Sequence, residues 1–241
     1  IAEKFFPGLI LYNSAKKMLK ETKPDIVSIA THFDTHYKFV KMAADSGAKA
    51  IVCEKPIADS LKKAESMIKI CKKKKCLLFI NHSRHFDTLI KKWQKKVKDG
   101  LLGRILQVNC LYHNGLFNNG THTIDLLKWF FGRIKKVSGF YNFLTSNSAK
   151  DKNIDAIIFF ENGAKAVLQS LPEKKKLTEW VFYGEIGDLA LRKLGMEIHY
   201  KNTKIGAPRS LMSSMVSHVV SCLEHKEKPQ STGQEGLEVL K

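Results

Sequence analysis

The chain has 241 residues, of which 44% are hydrophobic and 10% are aromatic, and its formal net charge is +18. This composition can supply a packed interior and excludes general disorder, while no apolar run approaches the roughly 18 to 20 residues that cross a bilayer. The lysines fall in short clusters along the whole chain, which is typical of solvated faces and not of one contiguous surface for nucleic acid.

Helices and short apolar strands alternate in the first third of the chain. Helices are predicted at 14–22, 37–46 and 60–74, and strands at 25–30, 50–53 and 76–80. This order and spacing favour right-handed crossovers and a parallel sheet, in which ligands bind outside the carboxyl ends of the strands. Three polar segments come after those ends, at 31–36, 54–56 and 81–84. They are candidates for lining a binding site.

The pattern changes after residue 84. Helices are predicted at 88–98, 121–131 and 210–226, and strands at 105–113, 137–143, 154–160, 164–170, 178–183 and 196–200. Most of these strands are separated by turns instead of long helices, which is typical of a mainly antiparallel sheet.

The five cysteines are odd in number and scattered among apolar or lysine-rich surroundings, unlike a disulfide framework. The first seven residues also lack the charged-then-apolar order of a signal peptide. We therefore expect reduced thiols in a cytoplasmic protein with no membrane partner. Cys71 and Cys76 flank four lysines, whose charge opposes a bound cation, so no metal site is predicted.

Lys55 comes after the predicted strand at 50–53 and precedes Pro56. Proline restricts the residue before it to an extended conformation, so the backbone of Lys55 is set rather than free. A lysine fixed in this way can point into a cleft at the strand ends. Taken alone, a solvated lysine in a turn is the simpler interpretation.

A second segment starts at Asn118 and contains a predicted helix. Thr121 is a candidate N-cap, which places His122 in the first turn and Asp125 three residues later on the same face. A histidine at a helix start suits general acid or base chemistry, because its unperturbed pKa is about 6.5 and the helix dipole favours the neutral form. Taken alone, a capping or packing histidine is the simpler interpretation.

The Glu54-Lys55-Pro56 motif and the later Gly120-x-His122-x-x-Asp125 helix together resemble the glucose-fructose oxidoreductase, inositol dehydrogenase and rhizopine-catabolism (Gfo/Idh/MocA) family. The resemblance extends over nearly the whole chain in the family's order. It implies an α/β fold with a partial NAD(P)-binding Rossmann-type domain at 1–84, built on a parallel sheet. An α+β domain for substrate binding and oligomerisation would occupy 85–241, with a mainly antiparallel open sheet. The C-terminal segment is a candidate to pack back on the first domain.

The resemblance also implies a dehydrogenase that transfers a hydride between nicotinamide and a sugar, cyclitol or nucleotide-sugar hydroxyl. The hydroxyl proton must leave as the hydride departs, so a base and a positioning cation are both required. Carried over from the family, Lys55 would hold the hydroxyl and orient the nicotinamide, and His122 would take the proton. The residues expected at the substrate are Lys55, Asn118, His122 and Asp125. Those expected at NAD or NADP are Thr31, His36, Glu54, Lys55, Pro56, Asn81 and Arg84.

The sequence departs from the family pattern in three places, one of which is the loop after Thr31, where it has His32 and Phe33 and many relatives have proline and a small or polar residue. Many relatives have an aspartate four residues before the histidine, where this chain has Asn118, so a proton relay through that position is broken or replaced. No Gly-x-Gly-x-x-Gly occurs, although a dinucleotide fold begins with a strand, a glycine-rich turn and a helix. The segment 1–12 resembles the helix and strand that come after this glycine-rich unit in the family. We therefore expect the front of the domain to be missing from this chain.

Other functions stay open at this stage. A catalytically inactive relative that binds the dinucleotide as a sensor is the main alternative, although it would need neither Lys55 nor His122. A nucleic-acid-binding role would need one basic face with aromatic residues, which the scattered lysines do not indicate. The positive charge weakly favours a phosphorylated or nucleotide-linked sugar, and the family suggests a homodimer or homotetramer.

Overall fold

The computed structural model describes residues 7–145, 151–206 and 211–241, without the side chains of residues 211 and 212. Its first part alternates helices and strands as predicted, and each end lies within one residue of the expected position. The elements are α1 (Ala15–Thr22), β1 (Ile26–Ile29), α2 (His36–Asp45), β2 (Ala50–Cys53), α3 (Leu61–Lys73) and β3 (Leu77–Ile80). Ser14 caps α1, since its side chain accepts a hydrogen bond from the backbone N–H of Lys17.

The three strands form a parallel sheet in the order β1-β2-β3. All four residues of the central strand β2 are buried, as expected of a strand covered on both faces. Val40 of α2 and Met67 of α3 are completely buried in the core beside this sheet. The sheet therefore presents the carboxyl ends of its strands side by side at one edge.

The remaining described α-helices and β-strands comprise four helices and the eight strands of a larger sheet. They are α4 (Thr88–Lys98), β4 (Ile105–His113), α5 (Thr121–Phe131), β5 (Ile134–Tyr141), β6 (Ile154–Phe160), β7 (Lys165–Leu171), β8 (Glu179–Gly184), β9 (Asp188–Arg192), β10 (Glu197–Tyr200), β11 (Thr203–Gly206), α6 (Leu211–Leu223) and α7 (Gly233–Leu240). The sheet order is β11-β10-β9-β8-β4-β7-β6-β5, and only the β4–β7 pairing among these strands is parallel. The predicted mainly antiparallel sheet is confirmed.

One face of the large sheet forms a core with α4 and α5. Trp180, Tyr112 and Phe182 point to this face and are completely buried. The indole Nε1 of Trp180 donates to Thr123 Oγ1 of α5 at 2.9 Å, which ties the helix to the sheet. This contact helps to fix α5, the helix that carries His122.

Strands β9 and β11 and helix α7 were not among the predicted elements. Three consecutive buried residues in β9 give no alternation, and β11 is a short, mostly exposed edge strand. Helix α7 contains Gly233 and Gly236, which lower helix propensity. A Cβ at Gly236 would lie 2.6 Å from Ile80 Cγ1, so glycine allows α7 to approach β3 closely.

The C-terminal segment lies against the first sheet. Ser231 accepts from Ile80 N at 2.7 Å through its carbonyl oxygen and donates to Ile80 O at 2.6 Å through its hydroxyl. Helix α7 comes next and contacts α3, α5 and β3. Among the described residues, none of the helices has the length and apolar character needed to cross a membrane.

Candidate functional site

A cleft of about 680 Å³ opens where the ends of β1 and β2 face the turn that precedes α5. Thr31 and Phe33 line it after β1, and Lys55 and Pro56 line it after β2. Asn118 contributes from the opposite side. Two of the three polar segments expected to line a binding site, 31–36 and 54–56, contribute residues to this cleft, whereas the segment 81–84 contributes none.

Lys55 bridges the two sides of the cleft. Its Nζ donates to the side-chain Oδ1 of Asn118 at 2.9 Å and to the backbone oxygen of the same residue at 3.0 Å. Burial lowers the pKa of Lys55, while the charge of Glu54 raises it, that of Arg84 lowers it and that of Asp151 raises it. An ammonium group carries three N–H donors, so one remains after the two bonds to Asn118. The Lys55–Pro56 peptide bond is cis.

His122 lies in the first turn of α5, but the start of this helix differs from the prediction. A π-helical turn, Gly115–Gly120, runs directly into α5, and Thr121 is its first residue rather than its N-cap. The Thr121 hydroxyl donates back to Phe117 O at 2.9 Å. The prediction of Thr121 as N-cap is therefore wrong, and His122 does not lie at the free helix start from which the dipole was expected to favour its neutral form.

The neutral form of His122 has another cause. Burial lowers the pKa of His122 well below its ordinary value, and the charges of Arg84, Lys55 and His82 lower it further. Its Nδ1 is buried and has no hydrogen-bond partner among the described residues. His122 is not among the residues that line the cleft, but the charge of Lys55 acts on its ring, and a neutral imidazole can accept a proton, as the sequence-based role requires.

Asp125 is buried between two further histidines, His82 and His85. Its carboxylate accepts from His85 Nε2 at 2.9 and 3.1 Å, and its Oδ2 lies 3.5 Å from His82 Nδ1. Burial raises the pKa of Asp125, but His82, His85 and Arg84 together hold it below its ordinary value. Asp125 thus lies outside the lining of the cleft, and the ring of His82 lies between its carboxylate and the ring of His122 in this chain of contacts.

Sequence reasoning did not assign His82 and His85. His82 lies in the polar segment after β3, so the signal was available, and its ring packs at 85° to that of His122 with centroids 6.4 Å apart. His85 stacks on Trp129 with centroids 4.4 Å apart. In the described chain, no group of three or more His, Cys, Asp or Glu side chains is arranged to hold a metal ion.

Two of the residues expected at the cofactor tie the strand ends together. His36 is completely buried, and its Nδ1 lies 3.0 Å from Pro56 O while its Nε2 lies 3.0 Å from Thr31 O. Asn81 Nδ2 donates to Glu54 Oε1 at 2.6 Å, which links the ends of β3 and β2. These contacts fix the backbone on which Thr31 and Pro56 face the cleft.

Arg84 is oriented towards the large sheet. Its Nε and Nη2 donate to Leu194 O at 3.0 and 2.8 Å, and the guanidinium lies 5.0 Å from the Trp180 ring centroid. Burial lowers the pKa of Arg84 to about 10, so it stays positively charged at neutral pH. Its effect on the cleft is therefore electrostatic, through the lowered pKa of His122 and of Lys55.

The residues present fit the nicotinamide end of a dinucleotide. The cleft lies at the carboxyl ends of parallel strands, and one N–H donor of Lys55 remains there after the two bonds to Asn118. The pyrophosphate end would require a glycine-rich turn at a helix N-terminus, and no such motif occurs in the 241 residues. The fit therefore applies to the nicotinamide end alone.

Two family models match most of the chain. The first is described as "Oxidoreductase family, NAD-binding Rossmann fold" and matches residues 2–82, and the second is the "GFO/IDH/MocA C-terminal domain" and matches residues 114–190. The chain belongs to the GFO/IDH/MocA oxidoreductase family. The predicted family and its nicotinamide cofactor class are confirmed.

Individual relatives are distant in sequence. The chain is 23% identical to D-apiose dehydrogenase of Paraburkholderia graminis, over 95% of this chain and 72% of the relative. It is 25% identical to the uncharacterized oxidoreductase YhhX of Escherichia coli, over 71% of this chain and 54% of that protein.

Among solved structures, the WlbA dehydrogenase of Bordetella pertussis in complex with NADH and UDP-GlcNAcA superposes with a TM-score of 0.81. The sequence identity is 22%, and the match covers 99% of this chain and 80% of WlbA. At this identity the similarity establishes the fold, and the predicted fold class is confirmed.

Proposed function

We propose that the protein is an NAD(P)-dependent dehydrogenase that transfers a hydride between a sugar-type hydroxyl and nicotinamide. The observation that carries the proposal is the cleft in which Asn118 holds Lys55, whose charge also acts on the neutral ring of His122. A cation that can hold an oxygen and a neutral base are the two groups that alcohol oxidation requires from the protein.

In the proposed mechanism, bound nicotinamide supplies the hydride acceptor, and this chain's residues manage the hydroxyl. The remaining N–H of Lys55 would donate to the substrate oxygen and favour its negative charge as the proton leaves. His122 would take that proton, because burial and nearby positive charges keep its ring neutral. The reverse reaction would return the proton from His122 to the oxygen.

Asn118 takes a different part from the aspartate of many relatives. An amide oxygen does not accept a proton at neutral pH, but the Oδ1 of Asn118 accepts a hydrogen bond from Lys55 Nζ at 2.9 Å. We propose that Asn118 orients Lys55 and that the proton passes directly to His122. The relay expected to be broken is thereby replaced by a positioning contact.

The described lining of the cleft favours an uncharged substrate. It holds the carboxylates of Asp34, Asp59, Asp151 and Glu173, and the ammonium group of Lys55 is its single Lys or Arg side chain. Carboxylates accept hydrogen bonds from hydroxyl groups and repel phosphates. We therefore propose a neutral sugar or cyclitol, in contrast to the weak indication from the net charge.

The test uses the full-length protein and follows NAD(P)H absorbance with neutral sugars, cyclitols, sugar phosphates and nucleotide sugars. Lys55→Ala and His122→Ala should lose turnover and still bind cofactor, whereas Lys62→Ala, at an exposed lysine of α3, should match the parent. Turnover confined to phosphorylated or nucleotide-linked sugars would contradict the proposed substrate class. Unchanged turnover in both variants would contradict the site.

The sensor alternative has no specific support in the structure. It predicts cofactor binding with no turnover on the whole panel, so the same experiment separates it from the dehydrogenase. Salt-dependent retention on DNA would be required for a nucleic-acid-binding role.

We also propose a homodimer or homotetramer formed through the outer face of the large sheet. Phe140, Ile157 and Phe159 lie beside one another on this face and are exposed. Contiguous apolar surface of this kind marks protein interfaces. Light scattering should show a dimer or tetramer that Phe159→Glu dissociates, and a monomeric parent would contradict the proposal.

The cysteines support a reducing compartment such as the cytoplasm. All five are unpaired and buried. Thiol labelling of the protein in intact cells should find them reduced.

A further inference from the structure

We infer that Asp151 is the positioning residue for Lys55 and acts through the turn that contains Asn118. The inference rests on the proposed function and deepens it, because Lys55 is the group proposed to hold the substrate oxygen. Asp151 also lines the cleft. Neither the sequence motifs nor the family resemblance assigned it a role.

The carboxylate of Asp151 binds two consecutive backbone N–H groups of the turn Gly115–Gly120. Its Oδ1 accepts from Phe117 N at 2.8 Å, and its Oδ2 accepts from Asn118 N at 2.9 Å. The first N–H groups of a helical segment have no partner inside the segment, and their dipoles favour a negative charge. Asp151 therefore acts as a charged cap supplied from more than 30 residues away in sequence.

The two residues after Asp151 complete the cap. Leu116 N donates to Lys152 O at 3.0 Å, and Gly115 N donates to Asn153 Oδ1 at 2.9 Å. All four N–H groups at the start of the turn are thus satisfied by three successive residues, 151–153. The turn is held at one place against the segment before β6.

Asn118 connects the capped turn to Lys55 through hydrogen bonds. Its N–H is held by Asp151, while its backbone and side-chain oxygens hold Lys55 Nζ. The chain from carboxylate to amide to ammonium contains two hydrogen-bonded steps. Charge-assisted bonds of this kind are short and directional, so displacement of the carboxylate would displace the ammonium group.

Asp151 also acts on the charge of Lys55. The charged groups that act on this ammonium are Glu54, Arg84 and Asp151, and the negative charge of Asp151 raises the pKa of Lys55 against the lowering caused by burial. Removing that negative charge should lower the pKa of Lys55. The alkaline limb of the pH profile is the range in which turnover falls because Lys55 loses its proton. This limb should then move to lower pH.

The test compares Asp151→Asn and Asp151→Glu in the full-length protein, with Glu161→Gln as the control. Glu161 is exposed, and its carboxylate pairs with Arg133 at the surface. Asp151→Asn should lower kcat by about 10- to 100-fold through misplacement of Lys55 and should shift the alkaline limb to lower pH. Asp151→Glu should leave the alkaline limb at the same pH and lower kcat in part. Its longer side chain keeps the negative charge but cannot keep both hydrogen bonds to the N–H groups of Phe117 and Asn118.

A second measurement does not depend on turnover. Labelling of Lys55 by acetic anhydride at a series of pH values, read by mass spectrometry, gives the pKa of this amine directly. Asp151→Asn should lower it, while Asp151→Glu and Glu161→Gln should not. An unchanged pKa and an unchanged kcat in Asp151→Asn would overturn the role of Asp151 and leave the dehydrogenase standing. Absence of turnover in the parent would refute the proposed function, and the labelling would still decide the effect of Asp151.

Discussion

Gly115 is the position at which one methyl group should disturb the site most directly. Its φ is +85°, a conformation that L side chains rarely adopt, and a Cβ built there would lie 2.0 Å from Asp151 Oδ2 and 2.2 Å from Asp151 Cγ. The carboxylate therefore fits against the turn only because residue 115 is glycine. In Gly115→Ala, Asp151 must move and release the N–H groups of Phe117 and Asn118.

The loss in free energy of unfolding caused by Gly115→Ala can be estimated from two contributions. The left-handed backbone costs an alanine about 1 to 2 kcal/mol, and loss of the charged cap costs about 2 to 3 kcal/mol, because the cleft lets water replace part of the lost bonding. The sum of about 3 to 5 kcal/mol is smaller than the stability of an ordinary domain, about 5 to 15 kcal/mol. We expect a folded variant whose Tm is about 6 to 20 °C lower.

Gly163→Ala is the matched control, because Gly163 has a φ of +87° and nothing lies within 4 Å of its Cβ position. This variant should lose about 1 to 2 kcal/mol, the backbone cost alone. Calorimetry and urea unfolding of both variants measure the difference. Equal losses in the two would refute the argument that Asp151 and the turn depend on glycine at 115.

Three further outcomes are expected from the charges at the site. As pH is lowered, turnover should begin to fall only below pH 6.5, because His122 then becomes protonated. As pH is raised, turnover should begin to fall before pH 10.5 is reached, because the pKa at which Lys55 loses its proton is lowered. A profile of kcat/KM against pH that already falls above pH 6.5 on the acid side would contradict the role of His122. Arg84→Ala should cost about 2 to 4 kcal/mol by urea unfolding, through its lost bonds to Leu194 O, with KM for the cofactor little changed. The free energy of unfolding should decrease as pH falls below about 6.5, because the unfolded chain protonates His82 and His122 before the folded protein does. A His82→Asn, His122→Asn double variant should show a smaller decrease in Tm between pH 7.5 and 5.5.

The first sheet could be predicted closely because its elements carry strong local signals. The strand β2 is a short apolar run, Pro24 lies between α1 and β1, and Gly47 comes after α2. The elements that were missed lack such signals. Helix α7 is stabilised by its capping box of Thr232 and Glu235 and by packing on the first sheet, and its two glycines weaken the local pattern.

The site was predicted in part. The motifs identified Lys55 and His122, but the contact between Lys55 and Asn118 joins residues 63 positions apart, and no local pattern shows it. Asp151 had no local signal either, because a helix cap is normally sought immediately before the helix. Only the tertiary fold brings the segment 151–153 to the start of the turn.

The low pKa of His122 also affects how readily the proposed proton transfer from the substrate hydroxyl to this ring occurs. A histidine with a pKa well below its ordinary value is a weak base, which alone would oppose removal of a proton from a hydroxyl. The charges that weaken it, those of Lys55 and Arg84, would act on the substrate oxygen as well. Lys55 would contact that oxygen directly, so its charge would lower the pKa of the hydroxyl more than that of the imidazole. We infer that the same positive field lowers both values, so that the weaker basicity of His122 is offset in part by the lower pKa of the hydroxyl.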